Sequence, residues 1–254
     1  MNNSGPLVSI ITVCLNSERH IAQAIESVLN QTYHNIEYII IDGGSTDRTI
    51  EIVKNYQHRF KGRMKWLSEK DKGLYDAMNK GIGRAQGEIV GMINSDDWYE
   101  EDAVEQIVRQ YQNDSGIDVF YGDLYWVDGE GKRTLSKPFK HIKEYTFYYW
   151  MPFTHPTMFV KKSTYERMGL YDLNYSIASD YEFIMRCLHQ HCIFHYIDAP
   201  IANFRDGGIS SNPLKGFKQS TKIKVKYGCN FLYAWWRYFE VSLKVRIKAL
   251  VTKR

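Results

Sequence analysis

A chain of 254 residues with 44% hydrophobic and 15% aromatic content holds one large domain, or one domain with an appendage, and can fill a sizeable core. The polar start Met1-Asn2-Asn3-Ser4-Gly5-Pro6 does not read as a secretory signal, no apolar run reaches the ~18 residues of a membrane span, and Cys14, Cys187, Cys192 and Cys229 show no paired metal spacing or secreted disulfide framework. The formal charge of +4 hides an asymmetry: residues 214–254 carry eleven Lys/Arg against one acid, Glu240, for a net +10, which leaves −6 on residues 1–213.

The β-branched run from Val8 to Val13 predicts a fully buried first strand. It passes through Cys14-Leu15-Asn16-Ser17-Glu18 into a helix whose Ile21, Ala24, Ile25, Val28 and Leu29 share one face. Ile36 to Ile41 predicts a second buried strand ending in Asp42-Gly43-Gly44-Ser45-Thr46-Asp47, where Thr46 or Asp47 can cap the next helix. Met64 to Leu67 reads as a weaker third strand, and a helix from about Leu74 to Ala85 breaks near Gly81 and Gly83. The fourth strand, Glu88 to Ile93, delivers Asn94-Ser95-Asp96-Asp97-Trp98. Strands and helices alternating through short loops mean right-handed crossovers and a mainly parallel sheet flanked by helices. The loops carrying Asn16, Glu18, Asp42, Asp71, Asp96 and Asp97 then share the rim at the strands' carboxyl ends, where ligand crevices lie.

Asp96 and Asp97 admit two readings. Paired carboxylates at the end of a buried strand are costly unless a cation balances them, and a hard divalent ion held against a diphosphate would do so. Alternatively, Asp97-x-x-Glu100 fits a capping box for a helix beginning near Glu101.

Beyond that helix, Val119 to Val127 predicts a strand that turns at Asp128-Gly129-Glu130-Gly131 into a hairpin partner. The aromatic stretch between Pro138 and Pro152 suits either core packing or a wall for a sugar or lipid acceptor. His155 to Val160 is strand-like, with His155 either a core hydrogen-bonding group or a contact to acceptor or diphosphate. Ser163 is expected to cap a short helix that stops at Gly169. Ser179 and Glu182 fit a capping box, leaving the Asp180 carboxylate free at a helix N-terminus. Cys192 to Ile197 reads as the last strand, followed by a loop, Phe204 to Ser211, whose Arg205, Gly208 and Ser210 suit a diphosphate. Pro213 marks the end of the expected domain, dividing the chain into 1–213 and a basic aromatic helical extension, 214–254.

Taken in order, these pieces resemble the family 2 glycosyltransferases: the first strand with Thr12, Asn16 and Glu18; Ser27-Val28-Leu29-Asn30-Gln31-Thr32-Tyr33; Ile41-Asp42-Gly43-Gly44-Ser45-Thr46-Asp47; Glu69-Lys70-Asp71-Lys72-Gly73-Leu74-Tyr75-Asp76-Ala77-Met78-Asn79-Lys80-Gly81-Ile82; and Asn94-Ser95-Asp96-Asp97. The resemblance spans about Leu7 to Ser211 and implies a GT-A (Rossmann-like) fold with a mixed, mainly parallel sheet, a nucleotide-sugar donor (a UDP-sugar foremost) and inversion at the anomeric carbon. It implies that Asp42 accepts from a uracil-like base, that Thr12, Asn16 and Glu18 lie beside base and ribose, and that Asp71 and Lys72 close over the nucleotide. It further implies that Asp97 binds Mn2+ or Mg2+, that Asp96 faces ribose or sugar, and that Asp180 is the general base, its neighbour being Ser179 where the family often has Glu. Trp98, His155, Ser179, Arg205 and Gly208 are the further candidates for acceptor or diphosphate.

The acceptor expected from this resemblance is a glycan or lipid-linked molecule in the assembly of a surface polysaccharide or other glycoconjugate. Aromatics flanked by cations in 214–254 suit an anionic membrane surface, hence a cytoplasmic protein peripheral to the inner face of the membrane, or else an amphipathic helix packed on the domain. A nucleic-acid partner is not expected beside an acidic main domain. The rival readings are a catalytically silent nucleotide-sugar-binding scaffold, which would lack Asp97 or Asp180, and a dinucleotide oxidoreductase, which would need G-x-G-x-x-G after the first strand.

Overall fold

The computed structural model describes residues 5–142, 151–206 and 213–251. Strand β1 (Val8–Cys14) lies between β2 (Ile36–Asp42) and β4 (Ile89–Met92), parallel to both, and β3 (Met64–Ser68) extends the parallel set beyond β2. All residues of β1 and β2 are buried because helices cover both faces, which is why these strands read as continuous apolar runs. The alternation persists within the run. Ile11 and Val13 pack with helix α3 (Leu74–Ile82), whereas Val8 and Ile10 pack with α1 (Ile21–Leu29) and α4 (Ala103–Asn113). Helix α2 (Thr49–Gln57) adds Val53 to the second cluster. Asp47 caps α2 as expected, accepting from the Thr49 N–H at 3.0 Å and the Thr49 hydroxyl at 2.6 Å. Gly81 lets α3 approach β1, since a Cβ there would sit 2.5 Å from Ile11 Cγ2.

The second half is antiparallel in part. Strand β5 (Trp98–Tyr99), β6 (Val119–Val127) with its hairpin partner β7 (Arg133–Ser136), β8 (Phe159–Lys161) and the long β9 (Phe194–Arg205) complete, among the described residues, a nine-stranded mixed sheet. Its order is β3-β2-β1-β4-β8-β6-β9-β5, with β7 on β6. Helix α5 (Lys162–Met168) stops at Gly169, whose φ is +82°, and α6 (Ser179–His189) follows. Helices α7 (Pro213–Lys226) and α8 (Phe231–Val251) close the chain. Ile223 of α7 is fully buried in the α3–α6 cluster, and Gln219 Oε1 accepts from the N–H groups of Ile177 and Ala178, so the extension is stitched to the start of α6.

Several local expectations are corrected. Asp97 caps no helix: the chain first makes β5, paired with Ala202 and Asn203 of β9, and α4 begins at Ala103, where the Val104 N–H donates to Gln31 Oε1. Ser179 and Glu182 form no capping box either. Ser179 Oγ donates to Asp172 O, and the buried Glu182 carboxylate accepts from Arg186, Lys226 and Tyr227. Helix α5 starts at Lys162 rather than behind a Ser163 cap, and His155–Thr157 is a 3-10 turn ahead of β8. Strand β9 runs through Pro200 to include Phe204 and Arg205. The register shifts by β6 at Gly122/Asp123 and Asp123/Leu124, beside its Asp123–Pro200 pair, giving the irregularity that proline needs in a sheet. Tyr145, Phe147, Tyr148, Tyr149 and Trp150 of the aromatic stretch, together with Gly208 and Ser210, lie outside the described residues.

Candidate active site

The carboxyl ends of β1 and β4 open into a cavity of about 1230 Å3, closed on its far side by α6, α7 and α8. Of the candidates, Asn16, Glu18, Asp71, Asp96, His155 and Asp180 line it. Thr12, Asp42, Lys72, Asp97, Trp98, Ser179 and Arg205 do not, and most of these hold the rim from behind.

The β1 and β2 loops are laced together. Asn16, at φ +48°, accepts from the Thr46 N–H at 2.9 Å and donates its own N–H to Ser45 Oγ at 2.7 Å. Glu18 accepts from the Arg48 N–H at 3.0 Å. Asp42 is buried in its own loop: Oδ2 accepts from the N–H groups of Gly44 and Ser45 and from Ser68 Oγ, while Oδ1 accepts from Ser45 Oγ and Cys14 Sγ. Thr12 is likewise buried, its hydroxyl accepting from Tyr38. Asp71 accepts from the Gly73 N–H at 2.8 Å and fills the space that a Cβ on Gly43 would occupy, while Lys72 is exposed.

Asp97 stands one layer beneath Asp96. Only 1% of it is exposed, and its carboxylate accepts from the Arg205 peptide N–H at 3.0 Å and from Asn94 Nδ2 at 3.2 Å. Burial, aided by the charge of Asp96, pushes its carboxyl up to about 7. Among the described residues Asn94 Oδ1 is buried without a hydrogen-bond partner. Among the described residues no group of three or more His, Cys, Asp or Glu side chains forms a ready-made metal cage. The pairing of a donor-poor carboxylate with an orphaned amide oxygen nevertheless fits a hard divalent ion, which takes one or two protein oxygens and completes its shell with phosphates and water. The Arg205 guanidinium crosses this segment, donating to Asp96 O and Gln23 Oε1 and lying over the Trp98 ring at 5.1 Å.

Asp180, in the first turn of α6, is half-buried and faces the cavity. Its Oδ1 accepts from the Tyr181 N–H at 2.8 Å and lies 2.9 Å from the Tyr75 hydroxyl, which shares its proton with Ile177 O. His155 is buried beside it, Nε2 2.9 Å from the Tyr171 hydroxyl, and desolvation lowers its pKa while the charge of Asp180 opposes that. Sequence reasoning placed Tyr75 in the Glu69–Ile82 motif but gave it no role, whereas its hydroxyl hydrogen-bonds Asp180. It also missed the Ser17–Ser95 hydroxyl pair (2.7 Å) that ties the two rim loops together. A further omission is the cavity wall formed by Lys224 of α7 and Tyr233, Arg237 and Val241 of α8, the last three of which recur at helical spacing.

This architecture, a mixed sheet with a rim cavity between strand ends and C-terminal helices, is the GT-A fold. It superposes with a TM-score of 0.71 on TarS residues 1–349 of S. aureus in complex with UDP-GlcNAc, at 18% identity over 90% of this chain and 69% of that one. This chain spans 41% of a longer TarS structure. The mannosyltransferase PcManGT of Pyrobaculum calidifontis, in complex with GDP-Man and Mn2+, gives 0.67 at 16% identity over 92% of this chain and 70% of that one. Within this fold the chain belongs to glycosyl transferase family 2, which it matches over residues 9–169, more than half its length. An uncharacterized glycosyltransferase of Methanocaldococcus jannaschii is similar over nearly the whole chain, 27% identical across 263 residues, 97% of this chain and 90% of that relative. No helix among the described residues is long and apolar enough to cross a membrane.

Proposed function

We propose that this glycosyltransferase moves a sugar from a UDP-sugar to an acceptor hydroxyl by single displacement with inversion, with Asp180 as general base. The observation that carries the proposal is that Asp180 and Asp96 line one cavity from opposite elements, the first turn of α6 and the loop after β4. An inverting transfer needs a carboxylate on the acceptor side, across from the leaving diphosphate, to take the hydroxyl proton as the new bond forms. Tyr75 and the Tyr181 N–H orient the Asp180 carboxylate for that task. Asn16, Glu18 and Asp71 line the nucleotide side, where Asp42 acts by fixing the loop shape. Asp97 and Asn94 Oδ1 would hold Mn2+ or Mg2+, whose role when bound is to neutralise charge on the departing diphosphate.

In this reading residues 1–213 are the catalytic unit and 214–254 supply its acceptor-side wall. Lys224 on that wall, beside Arg237 with its Glu240 partner, favours an acceptor bearing a negative group, such as a lipid-linked phosphate. PcManGT was solved with a GDP-sugar and TarS with a UDP-sugar, so the base is tested directly. Calorimetric titration with UDP and with GDP, with and without Mn2+, is expected to show Mn2+-dependent UDP binding. A GDP preference redirects the donor, and binding of neither removes the proposal. Asp180→Asn should lower transfer by on the order of 10^3-fold while UDP binding stays within about twofold; loss of UDP binding would refute the assignment of the base.

A further inference from the structure

Helix α8 has two unlike faces. Tyr233, Ala234, Arg237, Tyr238 and Val241 line the cavity, and Ala234 is only 3% exposed. Away from them, Leu232, Trp236, Phe239 and Leu243 are 76, 59, 64 and 60% exposed in turn. Steps of four, three and four residues keep these four within an arc of about 60°, a single ridge along three turns. The ridge centre lies roughly 160° around the helix from the cavity-lining face. An amphipathic helix packed on its domain would spend its apolar face inward; here the inward face is spent and a second apolar ridge is left over.

Charge identifies what covers it. The segment 214–254 is net +10, while residues 1–213 are net −6. A second copy placed ridge to ridge would bring two +10 segments together, which like-charge repulsion opposes. An anionic lipid surface instead satisfies both properties, taking Trp and Phe at headgroup depth and attracting the surrounding cations. Lys218 and Lys222 of α7 are exposed and make no ion pair with a described residue, so their charge is available to such a surface. We propose that α8 docks this enzyme on an anionic lipid surface through the Leu232, Trp236, Phe239 and Leu243 ridge. The proposal does not depend on the donor or on the base assigned above.

The test is co-sedimentation of the full chain with vesicles of phosphatidylcholine alone and of phosphatidylcholine mixed with phosphatidylglycerol, at low and high salt. The chain is expected to pellet with the phosphatidylglycerol vesicles, to be released by salt, and to ignore pure phosphatidylcholine. Combined Leu232→Gln, Trp236→Gln, Phe239→Gln and Leu243→Gln should weaken vesicle binding at least tenfold while thermal unfolding and UDP binding are retained. Should that variant misfold, quenching of wild-type tryptophan fluorescence by lipids brominated high in the acyl chain, reduced in Trp236→Phe, makes the same test. Failure of the wild type to pellet overturns the proposal, as does unchanged binding by the folded variant. A dimer in sedimentation velocity that the variant dissolves, without vesicle binding, overturns it in favour of a protein interface.

Discussion

Asp42 and Asp97 both sit at the rim behind strands that flank β1, each 1% exposed, yet their surroundings differ sharply. Asp42 receives five donors, two from the backbone, two from serine hydroxyls and one from Cys14. Among the described residues Asp97 receives two, one of them from an asparagine whose own oxygen is left unpaired. A carboxylate saturated with donors fixes the shape of a loop. A carboxylate short of them represents an unmet demand for positive charge, held in place by the rest of the fold. The two loops therefore divide the work, one providing form and the other affinity.

Substitution should separate these roles. The largest effect is expected for Asp97→Ala, which should lower metal-dependent transfer by on the order of 10^3-fold and abolish Mn2+ dependence in UDP titrations; unaltered titrations would count against a metal at this position. The stability of the same site should move the other way. The folded protein holds a proton on Asp97 up to about pH 7 that the unfolded chain, titrating near 3.8, has already released. Stability from this group is thus fully present below about pH 4 and is lost as pH rises toward 7, by at most about 1.4 kcal/mol per pH unit. Asp97→Asn should flatten that decline in urea unfolding measured across the range without metal, and a parallel decline in both proteins would sink the assignment.

Asp42→Asn should do the converse, costing roughly 3 kcal/mol in unfolding free energy because an amide nitrogen would face N–H and O–H donors. Any loss of UDP affinity should follow the loss of fold. A fully stable Asp42→Asn with no UDP binding would instead place Asp42 on the nucleotide and erase the contrast drawn above. The smallest effect is expected for Tyr75→Phe. Removing the hydroxyl 2.9 Å from Asp180 should lower kcat about tenfold with KM for the donor unchanged, as a group that positions the base would.

The parallel half of the fold was legible because its signals are local. Val8 to Val13 and Ile36 to Ile41 are apolar throughout, and the helices between them carry their own periodicity. What escaped was set by partners distant in sequence. Asp97 looked like a helix cap because nothing near it reveals that Trp98 and Tyr99 pair with β9, about a hundred residues later. Glu182 looked like half of a capping box until Lys226 and Tyr227 of α7 claimed it. Pro200 concealed the length of β9, since its place in the sheet depends on the register shift in β6. The chemistry-bearing residues were easier to find than to place. Asp42, Asp71, Asp96, Asp97 and Asp180 all stand near one rim, but only the three-dimensional hydrogen bonds reveal that Asp42 is already satisfied and Asp97 is not.

The donor that β9 offers to Asp97 is a peptide N–H, not a side chain. Nineteen of the twenty amino acids at position 205 would supply it, and proline alone would withhold it. Inheritance can therefore experiment with the guanidinium that now spans Gln23 and Trp98 without disturbing the anchor of the buried carboxylate. At position 205 the backbone carries the anchor, and the side chain is a separate contact.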